Sequence, residues 1–527
     1  MALLFNDLLT TTALRTPDAL ALTARQQTYS YAALAMAVQR AAQGLLALSI
    51  ESQTRVAIYL PKQGETVVAL FGAAQAGAVF VPINPILKPP QVAHILCDCN
   101  ARVLITSTDR LGMLATVLNN CGELQHVILI DELPLPSPIG QPHFVVHRWR
   151  DFGNSVASQS SRVVDKDMAA ILYTSGSTGK PKGVMLSHRN LVVGATSVAQ
   201  YLDNCASDRL LAVLPLSFDY GLSQLTTAFS VGASVVLLDH LFARDVIAAI
   251  ASEAITGLAA VPPLWSQLAD LPWPERAVSS LRYITNSGGA MPRSVLSKLR
   301  GSLPRTRVFL MYGLTEAFRA TYLPPEELDR RPDSMGKAIP NVEVLVVRPN
   351  GSLCDAEEPG ELVQRGSLVA LGYWNLPEAT AHRFRPPPDH ARDIGVNETA
   401  VWSGDTVRRD AGGFLYFVAR RDETIKTSGY RVSPTEIEEV VLASGYAREA
   451  VAFGVPHPIL GHAIAVVATP TDARANIENA LDYCKQQLPA YMVPAHFEWR
   501  THLPRNANGK YDRALLIAEL RGLFGTL

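Results

Sequence analysis

Cysteine, net charge, tandem repeats and long unbroken apolar runs are all scarce in this chain of 527 residues, and each scarcity removes a class of protein. Six cysteines (Cys97, Cys99, Cys121, Cys205, Cys354, Cys484) are too few for a disulfide scaffold. Only Cys97 and Cys99 are close, and their single intervening residue is too short a spacing for a zinc knuckle. They read as buried thiols in a reducing compartment. Lys and Arg number 47 against 48 Asp and Glu, a net charge of −1, so no global basic field exists to hold nucleic acid or an anionic membrane surface. No tandem period or low-complexity tract appears, which excludes solenoids and collagen. The most apolar stretch, residues 67–86, carries Gln75, Pro82 and Asn84. It reads as an Ala-rich helix running into a buried strand and not as a membrane span. The N-terminal segment has no basic region, and Asn6 and Asp7 interrupt its apolar run before a secretion signal could form. The expectation is a cytoplasmic protein with no integral membrane association and no nucleic-acid partner.

What is present is enough apolar material, 48% of residues, to bury several cores. Short β-branched runs (RVAIYL at 55–60, ARVLI at 101–105, SVVLL at 234–238) alternate with Ala/Leu-rich helical segments such as 30–47 and 242–251, the pattern of βαβ units around parallel sheets. After about Ala338 the texture changes to VEVLVV, a turn at Asn350 and Gly351, then GELVQRG, which predicts antiparallel hairpins on a smaller, distorted barrel. Residues 419–426 (ARRDETIK) are densely charged, and beyond them helices interleave with strands. The predicted fold is α/β: an N-terminal region over 1–421 with two βαβ subdomains and a small distorted β-barrel, then a small mobile α+β domain over 422–527.

Residues 171–188 read ILYTSGSTGKPKGVMLSH, an apolar strand end, a Ser/Thr/Gly loop with two lysines, then a helix beginning near Ser187. Glycines let the backbone approach a phosphate closely, while hydroxyls and lysines supply donors and positive charge. The loop is not a Walker A sequence: Thr174 stands where its first glycine would be, and Pro181 follows the lysine. A solvated Gly/Ser linker is the alternative reading, which the two lysines and the strand context disfavour.

YTSGSTGKPKGV, with MYGLTE (311–316), SGD (403–405), KTSGYRVSPTEIE (426–438) and PRNANGK (504–510), resembles the AMP-forming adenylating superfamily of acyl-CoA synthetases, amino-acid adenylation enzymes and luciferases. Five motifs in the right order cover most of the chain. The resemblance implies an ATP- and Mg²⁺-dependent ligase that joins a carboxylic acid to the α-phosphate, releases pyrophosphate, and passes the acyl group to the thiol of CoA or of a carrier protein's phosphopantetheine. It implies that Thr174, Ser175, Gly176, Ser177, Thr178, Gly179, Lys180 and Lys182 cradle phosphates. Gly288, Gly289 and Ala290 would wall one face of adenine and Tyr312 would stack on the other. Asp405 and Arg420 would hold the ribose, although Ala419 departs from the glycine usual in that signature. Thr315 is implied at the α-phosphate, Glu316 at the metal and Lys510 as the catalytic lysine. Asp422 falls at the hinge of a rotating C-terminal domain, and Lys426 and Gly429 would line the thiol's path.

The acid pocket is implied near LPLSFDYGLSQL (214–225). Phe218 and Asp219 reproduce a pair that meets the substrate ammonium in amino-acid-activating members, and a buried carboxylate without a cation is costly. Tyr220 and the residues after it look more like those of acyl-CoA ligases. Arg319 could neutralise Asp219 or bind a second carboxylate. Ser223, Thr285, Ser287 and Met311 complete the candidate pocket. The expected substrate is an amino acid, slightly ahead of a fatty, aryl or other acid. A luciferase-type oxygenase and a catalytically idle nucleotide-binding protein are the rival readings. The second is disfavoured because Lys510, Glu316 and Asp405 are all present.

Overall fold

The computed structural model describes residues 2–135, 143–153, 162–174, 181–289, 291, 293–388, 398–420, 425–472, 475–504 and 511–525. Three sheets organise them. The first has eight strands, with Arg55–Ile58, Val79–Pro82, Val103–Thr106, His126–Leu129 and Val145–Arg148 running parallel. The helix Gly64–Gln75 precedes one of these strands and is buried on nearly every face, as an all-round apolar helix must be. Gly72 lets the helix Tyr31–Ala47 approach it, because a Cβ there would lie 2.7 Å from Ala41 Cβ. The stretch 67–86 is thus the expected helix and buried strand, and among the described residues no helix is long and apolar enough to cross a membrane.

The second sheet has fourteen strands. Its parallel run includes Arg209–Ala212, Ser234–Leu237, Gly257–Ala260, Tyr283–Asn286 and Arg307–Tyr312. The hairpin expected from VEVLVV and GELVQRG forms between Val342–Val347 and Gly360–Gly366. These antiparallel strands are not separate from the parallel ones. Arg307–Tyr312 pairs with Thr321–Leu323, which pairs with Ser334–Ala338, and the sheet passes unbroken from one texture to the other.

The chain from Ile425 onward builds a five-stranded sheet with helices Pro434–Ala443, Ile477–Gln487 and Arg513–Leu520. It has its own apolar core of Ile425, Val432, Ile437, Val441, Ile464 and Val466, as an independently folding unit requires. It touches the N-terminal region through a turn at Gly429, whose φ of +81° suits glycine and where a Cβ would lie 2.7 Å from Val261 Cγ1. Gln91 Nε2 donates to Glu436 Oε1 across the same boundary at 3.0 Å. The expected boundary at Asp422 lies outside the described residues.

Candidate active site

The phosphate-loop candidates Ser175, Gly176, Ser177, Thr178, Gly179 and Lys180 lie outside the described residues, but their supports do not. Met168–Thr174 and Lys182–Ser187 pair antiparallel, with Thr174 opposite Lys182. The loop therefore spans a hairpin, and a strand absent from the expected pattern separates it from the helix His188–Tyr201. Ser187 caps that helix, accepting from Asn190 N while Asn190 Oδ1 accepts from Ser187 N.

Parallel strands deliver their carboxyl ends to one side of a sheet, and ligands bind there. Tyr283–Asn286 and Arg307–Tyr312 are neighbours in register, so residues 287–289 leave the sheet beside residues 313–316. Gly288 has φ +81° and lies against Gly429 and Val261, so a Cβ there would come within 3.4 Å of both. Ala290 and Lys510 lie outside the described residues. The Tyr312 hydroxyl donates to Asp405, whose residue is 1% exposed. Asp405 stands directly opposite Arg420 in the antiparallel pair Ala400–Arg409 and Leu415–Arg420. Tyrosine ring, aspartate and arginine position thus converge from two distant parts of the chain.

Glu316 lies in a short turn after the strand Arg307–Tyr312 and is buried. Burial pushes its carboxyl up, but Arg383, Arg431 and the Tyr373 hydroxyl outweigh that and hold it below its ordinary value. Tyr373 donates to Oε1 at 2.7 Å and Arg383 lies 4.0 Å from the same oxygen. Oε2 has no hydrogen-bond partner among the described residues. An ionised, half-satisfied carboxylate suits Mg²⁺, which keeps several waters and takes only one or two carboxylates with substrate oxygens. Among the described residues no group of three or more His, Cys, Asp or Glu side chains forms a metal cage, and magnesium of this kind needs none. Sequence reasoning misses Tyr373, Arg383 and Arg431 as site residues. Only Arg431 sits in one of the five motifs, and the others are 57 and 67 residues beyond Glu316 in sequence.

Beyond Thr315 lies a buried polar chain. Thr315 Oγ1 is 3.5 Å from Asp219 Oδ1, and Arg319 Nη1 is 3.0 Å from Asp219 Oδ2, with both side chains almost fully enclosed. Phe318 adopts φ +58°, an uncommon conformation for a non-glycine residue, and its carbonyl accepts from Arg319 Nη1 at 3.0 Å. Gly194 makes room for the Phe318 ring, since a Cβ there would lie 2.7 Å from it. The guanidinium lies 4.5 Å above the Tyr220 ring, and the Tyr220 hydroxyl is hydrogen-bonded to Thr285 Oγ1 at 2.6 Å. Burial pushes the Asp219 carboxyl above its ordinary value against the pull of Arg319. Of the pocket candidates, Tyr220, Ser223, Thr285, Met311 and Arg319 line a cavity of about 10 Å³. Phe218, Asp219 and Ser287 do not, and Gln224 and Thr227, which do, were not anticipated.

A second cavity, of about 460 Å³, lies between the N-terminal region and the C-terminal unit, with Val213, Val261 and Leu264 on one side and Ser428, Tyr430 and Leu460 on the other. Lys426 is not among its lining residues; its ammonium lies 4.9 Å above the Phe417 ring. All six cysteines are free thiols. Four are buried, whereas Cys205 is exposed and Cys97 half-buried.

Residues 9–374 match the model of the AMP-binding enzyme family and residues 436–510 that of the AMP-binding enzyme C-terminal domain. Feruloyl-CoA synthase of an Amycolatopsis species is 30% identical over 94% of this chain and 94% of its own. A linear gramicidin synthase protein from Brevibacillus parabrevis is 30% identical over 97% of this chain and 6% of its own length. The chain spans only 6% to 13% of the linear gramicidin, plipastatin and tyrocidine synthase proteins it matches. Its fold matches o-succinylbenzoate CoA synthetase from Bacillus subtilis with a TM-score of 0.82 at 28% identity, covering 97% of each chain. The same synthetase in complex with ATP and magnesium gives a TM-score of 0.68, again at 28% identity, over 97% of this chain and 99% of that one. The chain belongs to the AMP-binding enzyme family.

Proposed function

We propose that this chain is an ATP-dependent, AMP-forming ligase that converts a carboxylic acid to its acyl-adenylate and then to a thioester. The observation that carries the reading is the grouping of Tyr312, Thr315 and Glu316 at and just past the end of the strand Arg307–Tyr312, with Asp405 hydrogen-bonded to Tyr312 and the buried Asp219–Arg319 pair next to Thr315. In the first step the acid's carboxylate attacks the α-phosphorus and pyrophosphate departs. Two anions must meet, so catalysis rests on charge placed where charge develops. Magnesium, when bound, would neutralise phosphate oxygens. Glu316 and Thr315 would face that charge, Tyr312 and Asp405 would fix the nucleoside, and the phosphate loop with Lys180 and Lys182 would hold the departing group. Lys510 would supply an ammonium made available mainly in the transition state.

In the second step a thiol attacks the acyl carbonyl and AMP leaves. The 460 Å³ cavity beside Gly429 supports a thiol path between the two units. Rotation about Asp422 would exchange Lys510 for the Lys426 and Gly429 segment at the site, a hinge motion of a familiar kind. CoA is the acceptor we favour, because a relative matched over 94% of its own length is named a CoA synthase. A carrier protein's phosphopantetheine is the second reading, favoured by the match to the linear gramicidin synthase protein. An amino-acid substrate is required only if Asp219 lacks a cation within the chain, and Arg319 supplies one at 3.0 Å.

The test is pyrophosphate exchange into ATP with a panel of acids, followed by Lys510→Ala. The variant is expected to lose exchange by at least a hundredfold while still making thioester from a supplied acyl-adenylate. Equal loss in both steps would refute the two-state account.

A further inference from the structure

Past the Asp219–Arg319 pair, the helix Asp219–Val231 and the strands behind it enclose the 10 Å³ cavity, the room of a single water-sized group. Its walls are mixed: Gln224, Thr227 and Arg319 bring polar groups, and Val198, Leu202 and Leu210 bring apolar ones. Two of the atoms there are buried without a hydrogen-bond partner among the described residues: Arg319 Nε and Thr227 Oγ1. Both residues line the cavity, and both are 2% exposed. An orphaned buried donor is costly and calls for an acceptor. The cavity's neighbours are already occupied: Tyr220 with Thr285, and the Gln224 amide with the Tyr220 carbonyl at 3.0 Å. A group entering here would therefore accept from Arg319 Nε and exchange a hydrogen bond with Thr227.

Charge narrows the choice further. Arg319 is matched by Asp219, so the pair is neutral overall. A second carboxylate buried beside it would have no cation of its own, and an ammonium would have to displace Arg319 from Asp219. A long alkyl chain or an aryl ring would find one water's volume and two orphaned polar atoms.

Resting on the ligase reading above, we infer that the acid activated here is a short one whose tail ends in an uncharged hydrogen-bonding group, a hydroxyl or carboxamide, read by Arg319 and Thr227. Arg319 and Thr227 are then specificity-determining residues, and the Arg319–Asp219 pairing leaves no free carboxylate there for an α-ammonium.

The experiment is acid-dependent pyrophosphate exchange with butanoate, 4-hydroxybutanoate, succinamate, 4-aminobutanoate, α-amino acids, octanoate and ferulate, on the full chain and on Thr227→Val. The hydroxyl or amide acid is expected to exceed butanoate at least tenfold in kcat/KM, about one hydrogen bond's discrimination. In Thr227→Val, whose removed hydroxyl has no protein partner among the described residues, that ratio is expected to fall toward one. A merely structural role would lower both acids alike and leave the ratio intact. Preference for octanoate, ferulate, 4-aminobutanoate or an α-amino acid would overturn the inference and leave the ligase reading standing. A ratio unmoved in Thr227→Val would also overturn it. Absence of exchange with every acid would remove the ligase reading and the inference together.

Discussion

Replacing Arg319 with methionine is the sharpest perturbation of the site, because it leaves Asp219 in place, 3% exposed, with its cation removed. Breaking a buried ion pair by deleting one partner costs about 3–5 kcal/mol. Protonation sets a ceiling. Holding neutral at pH 7 a carboxyl of ordinary pKa 3.8 costs about 4 kcal/mol, at about 1.4 kcal/mol per pH unit. The carboxyl already sits above its ordinary value with Arg319 present, so part of that cost is borne by the unmodified protein. The expected loss is about 2–4 kcal/mol at pH 7. The sign with pH follows from linkage. A carboxyl raised in the folded state binds protons more tightly there, so the penalty vanishes below the unfolded pKa and grows as pH rises. At pH 5 the loss is expected to shrink to under about 2 kcal/mol. Urea unfolding followed by tryptophan fluorescence at the two pH values measures it. The double variant Asp219→Leu with Arg319→Met is expected to recover most of the stability, since an apolar pair can replace a buried ionic one. A single-variant loss below about 0.5 kcal/mol, or one independent of pH, would refute the buried-pair reasoning.

Two further predictions concern the boundary between the units. Gly429→Leu combines a φ of +81° with a Cβ 2.7 Å from Val261, so it is expected to abolish thioester formation from supplied acyl-adenylate while pyrophosphate exchange persists. Loss of exchange to the same degree would contradict the separation of the two steps. Glu436 is pushed up to about 7 by burial, against the Gln91 hydrogen bond and with Glu439 adding repulsion. The stability this buried carboxyl leaves to the folded protein is full below about pH 4.5 and declines as pH rises through 7. Glu436→Gln keeps a partner for Gln91 without the charge, so the ratio of variant to unmodified thioester-forming rates is expected to rise between about pH 5 and 7.5. A constant ratio would contradict it.

Local pattern carried much of the fold. The helix expected at 30–47 is Tyr31–Ala47, capped by Ser30, and the hairpin around Asn350 and Gly351 forms where its turn residues place it. Two things were not legible. Periodicity in VEVLVV predicts a strand but says nothing about the neighbour it joins, so the merging of barrel strands with the parallel sheet at Thr321–Leu323 appears only in the fold. The site's motifs supplied Glu316, Tyr312 and Asp405, yet the groups that hold Glu316 ionised, Tyr373 and Arg383, come from a distant strand and helix. Asp219 read alone calls for a substrate cation. Phe318, at φ +58°, immediately precedes Arg319, whose Nη1 donates to Asp219, and no sequence period announces such a backbone conformation.

The most direct measurement is of the products. With ATP, magnesium, CoA and an accepted acid, the protein is expected to release AMP and pyrophosphate in equal amounts with thioester, and to exchange labelled pyrophosphate into ATP only when the acid is present. Accumulation of ADP and inorganic phosphate, or exchange that ignores the acid, would contradict attack at the α-phosphorus and with it the roles given to Glu316 and its neighbours.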